Sequence, residues 1–354
     1  MKNIKFLPTI LSLIFTALLV VIVLQMVVIQ KKQSVNNDDN IVEDVKDDVV
    51  IDQGEVIPQK ERLIDGALIS MDEKEKTLKA ITIENNIYAR PQSGIDKANL
   101  VLEVPVEGGI TRFLAIFDGS EDVLEIGPVR SARPYFLDWA KEYDSLYSHV
   151  GGSPEALKTI KNDKNIANLN QYFQSQYYWR SSKRQRPHNV YTSIELLDRA
   201  VRDFDLNVSG FDSWKFKEDL KLEDRGGDKS EIFIDYSTRE NEVKWIYNQE
   251  NNDYIRYQAR EKHLTKDNEW IRSKNIIIQK TKVLSIDSED RKAITVIGSG
   301  EAIIFLDGNI IEGSWKKESQ NKRTMFYNEN DEEIEFNRGI TWIEVVSNKT
   351  ILEF

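Results

Sequence analysis

Four short segments concentrate the residue types that hold anions. The segment Gly127-Pro128-Val129-Arg130-Ser131-Ala132-Arg133-Pro134 puts two arginines on a proline-bounded loop. A guanidinium is a planar fork of donors that matches the oxygens of a phosphate or carboxylate. Glu107-Gly108-Gly109-Ile110-Thr111-Arg112 adds a third arginine within an apolar stretch. His149-Val150-Gly151-Gly152-Ser153-Pro154-Glu155 passes through two glycines into a helix start, where inward N–H groups and the helix dipole favour negative charge. Arg186-Pro187-His188-Asn189-Val190-Tyr191 is the fourth. The candidate anion-binding set is therefore Arg112, Arg130, Arg133, His149, Gly151, Gly152, Ser153, His188 and Asn189. Each member also has a structural reading. A Gly-Gly turn can serve only the backbone path, and loop arginines often bond carbonyls and carboxylates, Arg112 with Glu103 or Glu107.

No catalytic residue is assigned. There is no nucleophile elbow, H-E-x-x-H, P-loop or Rossmann glycine fingerprint. The absence of cysteine removes disulfides, thiol catalysis and thiolate metal sites, and three histidines are too few for a His-rich centre. No metal and no cofactor is expected. In an enzyme acting on a phosphate-bearing wall precursor, His149 or His188 would be the acid or base, with Glu103 or Glu107 orienting it or holding a divalent ion. Residues 172–188 set Arg180, Lys183, Arg184 and Arg186 among Tyr172, Phe173, Tyr177, Tyr178 and Trp179. With a net charge of −11, nucleic acid is not the expected partner. Outside a membrane, anionic glycans, lipid head groups or teichoic-type phosphates fit better. A solvated loop is the plain alternative.

The elements that must position these residues are legible as alternating strands and helices. Strands are expected at 79–84, 99–106 and 110–117, the last two joined through Gly108-Gly109, and at 146–150. A helix is expected from Pro134 to about Ser145, with Phe136, Trp139, Ala140 and Tyr143 on one face. A second starts at Ser153-Pro154. A third runs to about Asp203 from the capping box Thr192-Ser193-Ile194-Glu195. Beyond about Phe211 short β-rich runs recur, with Asp307-Gly308 as a hairpin turn. The fold class is thus α+β or α/β: an N-terminal transmembrane helix, an α/β first domain and a mostly β second domain. The expected boundaries are 1–32 anchor, 33–59 acidic linker, 60–205 first domain, 206–230 connection and 231–354 second domain.

Phe6 to Ile29 is free of charge over 24 residues. As a helix it would span about 36 Å at ~1.5 Å per residue, enough for a ~30 Å hydrocarbon core. It is read as a retained single-pass anchor, the alternative being a cleaved signal. The body behind it is placed outside the cell. Residues 33–59 hold eight acids and one base, a net of −7 that extends the segment as a tether.

Three strings carry a family likeness: 89–117 (ARPQSGIDKANLVLEVPVEGGITRFLAIF), 126–157 (IGPVRSARPYFLDWAKEYDSLYSHVGGSPEAL) and 186–193 (RPHNVYTS). They closely resemble the YerB-like family of the bacterial envelope, mostly from Gram-positive lineages. Residues 298–315 and 339–346 are similar to that family's second domain. The resemblance implies two domains and an extracytoplasmic place, and brings no established reaction. Members are typically lipoproteins, and this chain differs in lacking the cysteine that would carry the lipid. The expectation is a membrane-anchored protein that binds an anionic envelope ligand. The rivals are the wall-precursor enzyme and a scaffold that docks a cell-wall protein.

Overall fold

The computed structural model describes residues 58–227 and 230–354. The expected anchor, and the acidic tether as far as residue 57, lie outside the described residues. Among those described, no helix is long and apolar enough to cross a membrane. The described residues form one compact unit.

Its frame is a ten-stranded mixed sheet. In chain order the strands and helices that matter are β1 (Lys79–Glu84), β2 (Leu100–Pro105), β3 (Thr111–Phe117), α1 (Pro134–Glu142), β4 (Leu146–His149), α2 (Pro154–Asn162), β5 (Asn168–Asn170) and α3 (Ile194–Asp203). The later part adds β6 (Glu231–Asp235), β7 (Glu242–Asn248), β8 (Asp253–Gln258), β9 (Asn275–Thr281), β10 (Gly298–Leu306), β11 (Asn309–Lys317), β12 (Met325–Asn328), β13 (Thr341–Ser347) and β14 (Ile351–Glu353). The large sheet runs β12-β11-β10-β9-β13-β2-β3-β1-β4-β5. Strand β13 pairs in parallel with β2, Thr341 opposite Leu100 and Glu344 opposite Glu103, so the sheet continues through both sequence regions. Strands β6, β7, β8 and β14 build a smaller sheet in the order β8-β7-β6-β14, with two short strands added beyond β8. The region before residue 207 is thus mixed α/β, and the region after it is mostly β.

Alternation along the central strands explains their near-continuous apolar sequences. Leu100, Leu102 and Val104 of β2 enter one core with Phe136 and Trp139 of α1, while Val101 enters the other with Ile194 and Leu197 of α3 and Trp245 of β7. Strand β13 divides likewise, Ile343 and Val345 to the first core and Trp342 and Val346 to the second. Both faces are therefore dry, and any charge on these strands needs a partner.

Local expectations shift by a few residues. Helix α1 stops at Glu142 rather than near Ser145, because Asp144 takes a positive φ of 44° and Ser145 Oγ donates back to the Ala140 carbonyl. The third helix is capped by Ser193, whose Oγ accepts from Leu196 N at 3.2 Å. Thr192 is not the cap, since its hydroxyl donates to the Tyr177 carbonyl. The Asp307-Gly308 turn is as read: both residues have positive φ, 53° and 72°, between Leu306 and its partner Asn309.

Candidate anion site

The loop from Gly127 to Arg133 is laid between two elements like a short ribbon. Arg130 N donates to the Thr82 carbonyl of β1, and Val150 N donates to the Arg130 carbonyl. Ala132 N bonds the Gly151 carbonyl, and Ser153 N bonds the Ala132 carbonyl. This stitching places the arginine loop against the start of α2. A cavity of about 420 Å³ results, lined by Arg112, Arg130, Arg133, Gly152, Ser153 and Glu107 among others.

Five of the nine sequence-read residues thus meet at one cavity. Arg112 stands on β3 directly opposite Glu84 of β1. It is buried; one terminal nitrogen donates to the Ser131 carbonyl at 3.2 Å, and the other lies 3.7 Å from Glu84 Oε1. Its Nε has no partner among the described residues. Burial, then the nearby Arg133 and Arg130 charges, lower the Arg112 pKa against the opposing pull of Glu84. Arg130 Nε donates to Glu84 Oε2, and no hydrogen bond from its terminal nitrogens occurs among the described residues. Each nitrogen of Arg133 is engaged: it forks onto Glu107 at 2.5 and 2.7 Å and bonds the Ala132 carbonyl at 2.8 Å.

The other four take different places. Gly151 spends its N–H on Asn170 Oδ1 at 3.1 Å, so one of the two glycine N–H groups of the expected seat is satisfied from within. Ser153, one of the five at the cavity, also acts as helix cap, its Oγ accepting from Ala156 N at 3.3 Å. His149 is buried beneath the turn, stacked on Tyr147 with ring centroids 5.0 Å apart. Its Nδ1 lies 2.6 Å from the Gly151 carbonyl and its Nε2 2.6 Å from the Asn168 amide. Burial lowers its pKa, against the opposing effect of the bonds to Asn168 Oδ1 and the Gly151 carbonyl. His149 is therefore a positioning residue of the turn. Asn189 is buried and accepts from Arg180 at 2.9 Å. His188 lines a neighbouring cavity and brings Nδ1 to 3.8 Å from Glu84 Oε2.

Glu84 is the residue that sequence reading missed. It is buried, and Arg112, Arg130 and His188 surround it. Burial pushes its pKa up, but Arg112 and Arg130 outweigh that, and the net shift is downward. Its place as the last residue of a strand gives no local sign of this burial. Glu103 and Glu107, the carboxylates expected beside a histidine base, lie elsewhere. Glu103 pairs with Arg256 and Glu107 with Arg133, and neither is bonded to His149 or His188. Among the described residues there is no cluster of three or more histidine or acidic side chains placed to hold a metal. What the arrangement can do is hold an anion: donors on Arg112 and Arg130 are unspent, next to an open cavity.

Known proteins share this architecture. Residues 66–207 match the family described as "Protein of unknown function (DUF3048) N-terminal domain", and residues 232–343 match "Protein of unknown function (DUF3048) C-terminal domain". "Putative lipoprotein YerB" of Bacillus subtilis (strain 168) is 29% identical over 310 residues, covering 83% of this chain and 89% of its own. The crystal structure of YerB protein from Bacillus subtilis is 28% identical, with a TM-score of 0.74 over 83% of this chain and 99% of that one. With both matched regions together spanning well over half of its length, the chain belongs to the DUF3048 family.

Proposed function

We propose that this protein is a membrane-associated extracytoplasmic binder of a phosphate- or carboxylate-bearing envelope ligand. The observation that carries the reading is the convergence of Arg112, Arg130 and Arg133 on one cavity, with donors on two of them unspent. A charge-assisted bond to a guanidinium contributes roughly 1.5–3 kcal/mol, about tenfold or more in affinity. The relative named as a lipoprotein supports the location. This chain has no cysteine to carry a thioether lipid, so the apolar stretch 6–29 is the proposed anchor.

The test is calorimetric titration of the purified chain with inorganic phosphate. Arg130→Ala is expected to weaken binding at least tenfold, and Arg130→Lys, which keeps the charge but not the fork, to fall between. Thermal melts verify that both variants are folded. No phosphate binding by the wild type, or equal binding by a folded Arg130→Ala, would overturn the reading.

A further inference from the structure

A second basic cavity adjoins the first. It measures about 380 Å³ and is lined by Tyr88, Lys183, Arg184, Gln185, Arg186 and His188. The loop that forms it hangs between the short antiparallel strands Trp179–Arg180 and Val190–Tyr191. Glu84 is the join. Arg130, from the first cavity, and His188, from the second, approach the same oxygen, Oε2.

Among the described residues the surface cations include paired and unpaired ones, and this second cavity gathers three unpaired ones on one concave lining. Lys141, Lys266, Arg272 and Arg338 each meet a carboxylate, as suits a chain of net charge −11. Among the described residues, Lys183, Arg184 and Arg186 form no ion pair. Arg184 is fixed by the carbonyls of Tyr88, Arg90 and Pro91 at 3.2, 3.3 and 2.6 Å, which orients its charge without neutralising it. Lys183 and Arg186 are exposed. Uncompensated cations lining a concavity focus the field there, on a protein that is otherwise acidic.

We infer that the ligand is a linear polyanion whose successive phosphate or carboxylate groups fill the two cavities together. This rests on the anion-binding reading of the first cavity and goes beyond it, since a single small anion would need only one. When one chain occupies two adjoining sites, the second binding event is intramolecular, and affinity climbs with chain length until both are filled. A surface of anionic lipid is the competing occupant, because Ile87 and Tyr88 are exposed beside the second cavity. Recession favours the thin chain: the Arg130 and His188 side chains are only 26% and 16% exposed, out of easy reach of a flat layer of head groups.

The experiment titrates the full chain, held in nanodiscs of zwitterionic lipid, with inorganic phosphate and with linear oligophosphates of increasing length. Affinity is expected to rise at least tenfold from the single phosphate to the longer oligomers and then level off. The variant Lys183→Ala/Arg186→Ala should lose that rise and keep the affinity for inorganic phosphate, whereas Arg130→Ala weakens both. Phosphate binding with no length dependence would overturn the polyanion inference and leave the single-anion reading standing. Binding of neither probe would overturn both. Micelles of short-chain phosphatidylglycerol that engage Lys183 and Arg186 when oligophosphate does not would assign the cavity to lipid and overturn the inference.

Discussion

A carboxylate as buried as that of Glu84 is stable only while Arg112 and Arg130 face it. Its folded pKa lies below its ordinary value, burial being outweighed by the two guanidinium charges. The stability it contributes is therefore complete above the unfolded value of about 4.3 and is lost as pH falls through the folded one. Glu84→Gln is expected to cost about 3 kcal/mol at pH 7, because it leaves Arg112 buried without a counter-charge. Denaturant melts from pH 7 to pH 3 should show the cost shrinking as the wild type itself discharges. A penalty that stays constant down to pH 3 would mean that Glu84 is not the titrating partner. Residue chemistry was partly legible here. Arginine forks on a short loop announce an anion, whether an internal carboxylate or an external ligand. Which acid answers them depends on the β1–β3 register, and a glutamate ending a strand reads locally as solvent-facing.

Elements depend on a few turns whose backbone leaves little choice. Gly108 and Gly308 have nearly the same left-handed φ, 69° and 72°, but different surroundings. A Cβ on Gly108 would meet nothing within 4 Å, whereas one on Gly308 would lie 2.3 Å from the buried ring of Tyr247. Both Gly→Ala substitutions incur the conformational strain, about 1 kcal/mol. Gly308→Ala adds overpacking of roughly 1–3 kcal/mol. Melting temperatures of the two variants should therefore separate, with Gly308→Ala the lower; equal shifts would remove the collision from the account. The hairpin turn at 307–308 was readable because its signal is two adjacent residues. The cap of α3 was placed one residue early, because a second hydroxyl, that of Thr192, also had the spacing of a capping box.

At the scale of the whole molecule, Glu103 and Glu344 stand side by side where β2 meets β13, with Arg256 bonded to Glu103. Tyr236 and Trp245 each donate to Glu344 at 2.7 Å. Burial first, and then the Glu103 charge, push the Glu344 pKa up to about 8 against the pull of Arg256. A raised folded value places this stability below the unfolded pKa of about 4.3 and loses it as pH climbs through 8. Glu344→Gln imitates the protonated acid and keeps an oxygen for Trp245. It is expected to match the wild type near pH 5 and exceed it at pH 9 by scanning calorimetry. A variant less stable at both values would show the charged form to be the native one. None of this joint was visible beforehand. The apolar runs at 99–106 and 340–346 each declare a strand buried on both faces, but parallel pairing across some 240 residues leaves no local mark. Hence two domains were expected where one sheet is shared.

That shared sheet also bears on descent. Had β2 and β13 been outer strands of separate bodies, either matched region could be copied into a foreign gene and still fold. Instead, each would arrive with a bare interior edge, a row of unpaired backbone groups ready to seize the wrong strand. Shuffling is penalised at the seam, and the two regions are expected to pass through genomes as a single heritable block.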